Sequence, residues 1–214
     1  MSAAMKRMKI GVLASGGGTD LQSVIDGVHG RSGEIAVVIS NKADAYALTR
    51  AERAGIPATA IIERNCGGVA AFNAKIVETL KSYGCELVVL AGYLRIITAD
   101  FVAAFPNRIV NIHPALIPSF CGPGYYGMRV HEAVYRYGCK VSGCTVHFVN
   151  EEADAGPIIA QRAVALADDD TPETIQQRVL ALEHALLPAV VAAICEGRVH
   201  VAGRRVHVDA PAAK

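Results

Sequence analysis

The chain has 214 residues, of which 52% are hydrophobic and 19% charged. That apolar content excludes a dominantly disordered chain, and the length suits one α/β domain with one sizeable core. Lysine plus arginine is 21 and aspartate plus glutamate 20, a formal net charge of +1. A broad basic surface for coating nucleic acid is thereby excluded, though a local anion pocket is not.

No stretch reads as the ~20 apolar residues that span a bilayer. After Met1 to Met8, the run Ile10 to Ala14 is shorter than a signal-peptide core of ~7–15 residues. The expectation is a cytoplasmic protein. Cys66, Cys85, Cys121, Cys139, Cys144 and Cys195 contain no C-x-x-C pair. Reduced thiols are therefore expected, not a zinc or redox site.

In chain order, Lys9 to Ala14 predicts a strand, Gly16-Gly17-Gly18 a turn, and Leu21, Val24, Ile25 and Val28 a helix at 3.6-residue spacing. Ile35 to Ser40 predicts a strand and Ala45 to Ala54 a helix. Ala58 to Ile62 and Val69 to Tyr83 repeat the alternation, and Leu87 to Ala91 is a fully apolar strand. Apolar strands alternating with helices predict a mostly parallel sheet covered on both faces. Ile109 to Pro114 is a strand with a polar end. The Gly- and Pro-rich stretch from Ala115 to Gly127 is an irregular loop of functional length, with a helix starting near His131. Val141 to Val149 and Pro157 to Val164 predict two more strands joined by an acidic loop. Thr171 and Pro172 mark the start of a helix to Cys195, which Pro188 should kink or split. Val199 to Val208 alternates around Ala-Gly as a hairpin, and Ala210 to Lys214 reads as frayed.

The glycine turn sits where backbone N–H groups and a helix N-terminus can receive an anion. Its spacing is neither G-x-G-x-x-G nor that of a P-loop, and a plain turn capped by Thr19 or Asp20 reads equally well. Asn111 and His113 point to one strand face, at the end that opens into a ligand crevice. Burying such a pair idle is expensive. Asn can donate to a developing oxyanion and His can move a proton. Asp154 stands before the sharp return Gly156-Pro157; near His113 it would raise the imidazole pKa. Glu183 and His184, read alone, are a surface acid and a half-buried histidine. His147 reads equally well as structural, and His29, His200 and His207 as surface residues. Neither a zinc-protease nor a serine-hydrolase motif is present.

The ordered set Ser15 to Gln22, Leu90 to Arg95, Asn111-Ile112-His113-Pro114, His147-Phe148-Val149, Asp154 to Pro157 and Glu183-His184 resembles the phosphoribosylglycinamide formyltransferase family. The resemblance covers about residues 8 to 199. It implies a single-domain Rossmann-like fold: a mostly parallel sheet, helices on both faces and a C-terminal hairpin. It implies residues 1–8 as an extension, 9–199 as the formyltransferase domain and 200–214 as hairpin and tail.

The implied reaction moves a formyl group from the co-substrate 10-formyltetrahydrofolate to the amine of 5'-phosphoribosylglycinamide in de novo purine (IMP) biosynthesis, without a metal. Position by position, the resemblance implies Gly18, Thr19 and Asp20 at the substrate phosphate and Glu183 at the ribonucleotide. Leu94, Arg95, Ile96 and Ile97 would line the folate site, and the loop of Asn150, Glu151, Glu152, Ala153 and Asp154 would close over the pterin. Asn111, His113 and Asp154 match the catalytic trio, with His113 held as imidazolium by Asp154.

Three segments depart from the family pattern. Asp20 stands where Asn is usual. Arg64 to Val69 replaces a Ser-Arg-Glu turn whose Arg helps hold the folate; Val69 is unable to make that contact, so either Arg64 substitutes or the contact is absent. Ser119 to Gly127 replaces a shorter Pro-Gly loop. The expected partners are the two small molecules, with no nucleic acid or membrane, as a monomer or homodimer. Alternatives are a 10-formyltetrahydrofolate hydrolase and a non-catalytic nucleotide-binding module. Methionyl-tRNA formyltransferase is disfavoured by the size and charge of the chain.

Overall fold

Lys9 to Ala14 is apolar on both sides of the pleat because both sides are covered. In β1 (Met8–Ala14), Ile10, Val12 and Ala14 face one core layer and Leu13 the other. The structure is a computed structural model that describes residues 7–211; the first six residues of the expected extension and the last three of the expected frayed tail lie outside the described residues.

The elements follow the predicted alternation. After β1 come α1 (Thr19–Val28), β2 (Gly33–Ser40), α2 (Tyr46–Arg53), β3 (Ala58–Ala60), a short 3-10 turn at Glu63–Asn65, α3 (Val69–Ser82) and β4 (Leu87–Leu90). Then come α4 (Ala99–Ala104), β5 (Ile109–His113), α5 (Met128–Tyr137), β6 (Val141–Phe148), β7 (Ile158–Ala165) and α6 (Pro172–Cys195). A hairpin, β8 (Val199–Ala202) and β9 (Arg205–Val208), closes the fold. The main sheet has seven strands in the order β3-β2-β1-β4-β5-β6-β7. Strands β1 to β5 are parallel to one another, whereas β6 runs antiparallel to β5 and β7 antiparallel to β6.

Helix α6 packs on one face with α1 and α5. Its Ile175, Val179, Leu187 and Val191 join Val24 and Val28 of α1 and Val146 of β6. Phe72, Ile76 and Leu80 of α3 and Phe101 of α4 cover the other face. The long apolar run expected to be absent is present in α6, which by length and composition is able to cross a membrane. Its buried residues instead complete the core.

Pro188 does not split α6, which is unbroken over 24 residues. Its ring lies against Gly27 of α1, where even a methyl group would collide with it. Packing against α1 therefore holds the helix through a residue that lacks the N–H for the preceding turn. The start of α6 is as expected. Thr171 accepts from the Thr174 N–H, and the Thr174 hydroxyl accepts from the Thr171 N–H at 2.8 Å. Helix α4 has no counterpart in the sequence reading; it is six residues long, too short to show a period.

Candidate active site

The strand order reverses between β1 and β4, so their C-terminal ends open a crevice. Ser15 organises its floor. The Ser15 N–H donates to the Gly92 carbonyl at 3.1 Å, and its hydroxyl donates to Asn41 Oδ1 at 2.6 Å while accepting from the Leu94 N–H at 2.8 Å. One buried serine thus joins the glycine turn, the loop after β2 and the loop after β4.

Beside that floor, Asn111 and His113 leave the same face of β5. The antiparallel register sets His147 of β6 opposite Asn111. The chain turns back after β6, where the Phe148 N–H donates to the Pro157 carbonyl at 2.9 Å. Gly156 makes this return possible, because a Cβ there would overlap the Phe148 carbonyl oxygen. The return delivers Asp154, whose φ of 54° is a left-handed conformation uncommon outside glycine.

The far-separated trio therefore meets. His113 Nδ1 lies 3.6 Å from Asp154 Oδ2, and Asn111 Nδ2 lies 3.5 Å from Asp154 Oδ1. The Gly122 N–H donates to Asp154 Oδ2 at 2.8 Å. His113 Nε2 donates to the Phe120 carbonyl at 2.8 Å, which leaves Nδ1 as the free proton site. His147 makes a fourth member: its Nδ1 donates to its neighbour's carbonyl at Phe148, and its Nε2 lies 3.2 Å from Asn111 Nδ2. His147 Nε2 is also 3.7 Å from Asp154 Oδ1.

One electrostatic expectation holds only in part. Asp154 was expected to raise the His113 pKa and hold the ring as imidazolium. Burial of His113, which is 4% exposed, instead lowers it below the ordinary value of 6.5. Asp154 and the Phe120 carbonyl pull upward without overcoming that desolvation, and His147 adds to the lowering. Resting His113 is therefore neutral at pH 7. Burial also works to raise Asp154, but His147, His113 and the Gly122 N–H outweigh it and keep the carboxyl below the usual range.

At the glycine turn, Gly18 takes φ 70° and α1 begins at Thr19 without a side-chain cap. Asp20 does not cap the helix, contrary to one reading of the sequence. Its Oδ1 faces His184 Nε2 at 3.7 Å. Glu183 is not a surface acid but is 7% exposed, on the face of α6 turned toward Asp20. Burial, and then the charge of Asp20, push the Glu183 carboxyl well above the ordinary range. An open cleft of about 510 Å³ starts here, walled by Thr19, Gln22, Arg50 and His184.

On the other side of Ser15, Leu94 and Ile96 are 53% and 77% exposed in the loop after β4, an apolar surface suited to a flat ring. Arg95 pairs with Glu63 at 3.5 Å, and Asn73 fixes the loop through the Ile96 carbonyl at 3.2 Å. Ile97 is half-buried against the α3 side of the core. Arg64 is exposed one residue from Glu63. Asn150 Oδ1 accepts from the Glu152 N–H, and Glu151, Glu152 and Ala153 are exposed beside the trio.

Sequence reasoning missed Ser15, Asn41, Phe120 and Gly122, which act through the backbone or through another side chain. It left His147 undecided because its role depends on strand register. It also left His131 without a role and placed His29 at the surface. His131 is 2% exposed, and burial followed by the neighbouring His113 lowers its pKa to about 4. His29 is half-buried and accepts from the Ile35 N–H at 3.0 Å. Among the described residues no group of His, Cys, Asp and Glu has the arrangement of a metal site.

The formyl transferase family matches residues 8–191. The chain is 43% identical over 199 residues to the chloroplastic phosphoribosylglycinamide formyltransferase of Arabidopsis thaliana, covering 91% of this chain and 68% of that protein. It is 38% identical to the phosphoribosylglycinamide formyltransferase of Haemophilus influenzae over 95% of both chains. It matches the trifunctional purine biosynthetic protein adenosine-3 of Gallus gallus at 41% identity, over 19% of that protein's length. Its fold superposes on glycinamide ribonucleotide transformylase 1 from Symbiobacterium toebii with a TM-score of 0.91 and 43% identity, covering 97% of each. With the crevice, the trio and these relatives in agreement, the chain belongs to the phosphoribosylglycinamide formyltransferase family of formyl transferases.

Proposed function

We infer that this enzyme transfers the formyl group of 10-formyltetrahydrofolate to the amine of 5'-phosphoribosylglycinamide, a step of de novo purine (IMP) biosynthesis. The observation that carries the reading is the meeting of Asn111, His113 and Asp154 between an anion-ready glycine turn and an exposed apolar loop. Gly18, Thr19 and Asp20 hold the phosphate end and Glu183 the ribose side. Leu94, Arg95, Ile96, Ile97 and the loop Asn150 to Asp154 hold the folate, whose role is to supply the formyl group.

Attack of the amine on the formyl carbon forms one C–N bond and leaves charge on the carbonyl oxygen. Asn111 donates to that oxygen, exchanging its long contact to Asp154 for a charge-assisted one. Neutral His113 accepts the amine proton at Nδ1. The negative charge of Asp154 stabilises the imidazolium as it forms. His113 then returns the proton to the departing folate nitrogen as the second C–N bond breaks. His147 keeps the Asn111 amide turned toward the reacting oxygen.

Residues 9–199 carry this activity, with residues 200–214 outside it. The same reading places the protein in the cytoplasm as a monomer or homodimer acting on two small molecules, without nucleic acid or membrane; six free thiols suit a reducing compartment. The test is the absorbance of tetrahydrofolate formed from 10-formyltetrahydrofolate. Strict dependence on the ribonucleotide is expected. Equal turnover without it makes the protein a hydrolase, and none with it leaves a binding module.

A further inference from the structure

The phosphate end of the crevice contains an apparent contradiction. Asp20 stands in the first turn of α1, beside backbone N–H groups that are to receive an anion. A carboxylate there repels a phosphate unless something compensates it. Two groups from α6 surround it, and neither has a side-chain hydrogen bond among the described residues. His184 Nε2 faces Asp20 Oδ1 at 3.7 Å, and both atoms are buried without a hydrogen-bond partner. Glu183 sits behind them with more than nine-tenths of its surface buried.

Two other charged side chains line the same cleft: Asp26 of α1, which accepts from Gln22 Nε2 at 2.9 Å, and Arg50 of α2. From β6 the nearest titratable group is the Cys144 thiol, which burial pushes up to about 12. From α2, the Arg50 guanidinium is held beside the turn by neutral acceptors: its Nε donates to the Gly17 carbonyl at 2.8 Å and its Nη1 to Gln22 Oε1 at 3.1 Å. Burial raises the Asp20 pKa and the His184 charge opposes that rise. Glu183 is raised well above the ordinary carboxylate value.

Resting on the reading of this turn as the phosphate subsite, we propose that His184 is a specificity-determining counter-ion: its imidazolium cancels Asp20, so that the turn can accept the substrate phosphate. The His184 ring also lines the cleft that leads to the turn. His184 therefore acts on ribonucleotide binding and not on formyl transfer.

The experiment is a double-mutant cycle on the full chain, with KM and kcat measured for each substrate and Tm for each variant. His184→Gln is expected to raise the KM for the ribonucleotide roughly tenfold, leaving kcat and the folate KM within about twofold. His184→Lys, which keeps the cation, is expected to recover most of that loss. In the Asp20→Asn background, His184→Gln is expected to change the ribonucleotide KM by less than about twofold, because no charge is left to cancel. An equal rise in that background overturns the counter-ion. So does a fall in Tm with KM unchanged, which makes the pair a structural link between α1 and α6. The dephosphorylated riboside separates the two layers of the argument. If its binding weakens as much as that of the phosphorylated substrate, the subsite reading fails; if it does not weaken while the phosphorylated substrate does, both stand.

Discussion

At position 113 two fields oppose each other: burial disfavours the charged ring, and Asp154 favours it. Burial wins in the resting enzyme, so the proton arrives with the reaction. His113→Ala is expected to lower kcat by about 10²–10⁴-fold while changing substrate Kd only modestly. Single-turnover rates beside equilibrium binding check this. The acid limb of kcat/KM is expected to inflect below pH 6.5, since the catalytic form is the neutral one and its pKa is lowered. Asp154→Asn removes the upward pull and moves that limb to still lower pH, besides slowing turnover. A limb that moves upward in this variant contradicts the assignment.

Buried His131 follows the same sign. Its folded pKa of about 4 lies below the ordinary 6.5, so folding excludes a proton that the unfolded chain binds. Its share of stability is complete above pH 6.5 and is lost as pH falls toward 4. His131→Leu should make denaturant midpoints less sensitive to pH across that window. Asn111 and His113 are legible in the sequence because polar side chains are costly on an apolar strand. Their protonation is not legible, since it depends on how deeply the loop from Ala115 to Gly127 buries them.

The strands and long helices follow from periodicity and caps, because those signals are local. The active-site loops do not. The loop after β5 is pinned from strands far along the chain: the Thr145 hydroxyl donates to the Ala115 carbonyl at 2.7 Å, and Gln161 Nε2 donates to the Ile117 carbonyl at 2.9 Å. The loop after β6 depends on Gly156, whose need is visible only once the Phe148 carbonyl is in place. Gly156→Ala is expected to destabilise the fold by about 1–3 kcal/mol and to lower kcat, because the Phe148 backbone cannot yield without moving Asp154. Thermal melts with kinetics on the same preparation check both halves. Pro188 teaches the converse: its local signal breaks a helix, and packing on Gly27 holds the helix together.

Across the whole molecule, chemistry is assembled where the parallel half of the sheet meets the antiparallel half. Strands β1 and β4 bring the glycine turn and the apolar loop side by side, while β5 and β6 bring Asn111 and His147 into register. The parallel half and its crevice are legible from strand-helix alternation. The antiparallel addition that completes the site is not, because its strands read alike in either direction. The central claim is that residues from β5 and the loop after β6 act as one unit on one carbon. It is tested most directly by single-turnover formyl transfer in His113→Ala, Asp154→Asn and the double variant. The account predicts a double variant about as slow as the slower single one. Losses that multiply would show the two side chains working independently and would contradict it.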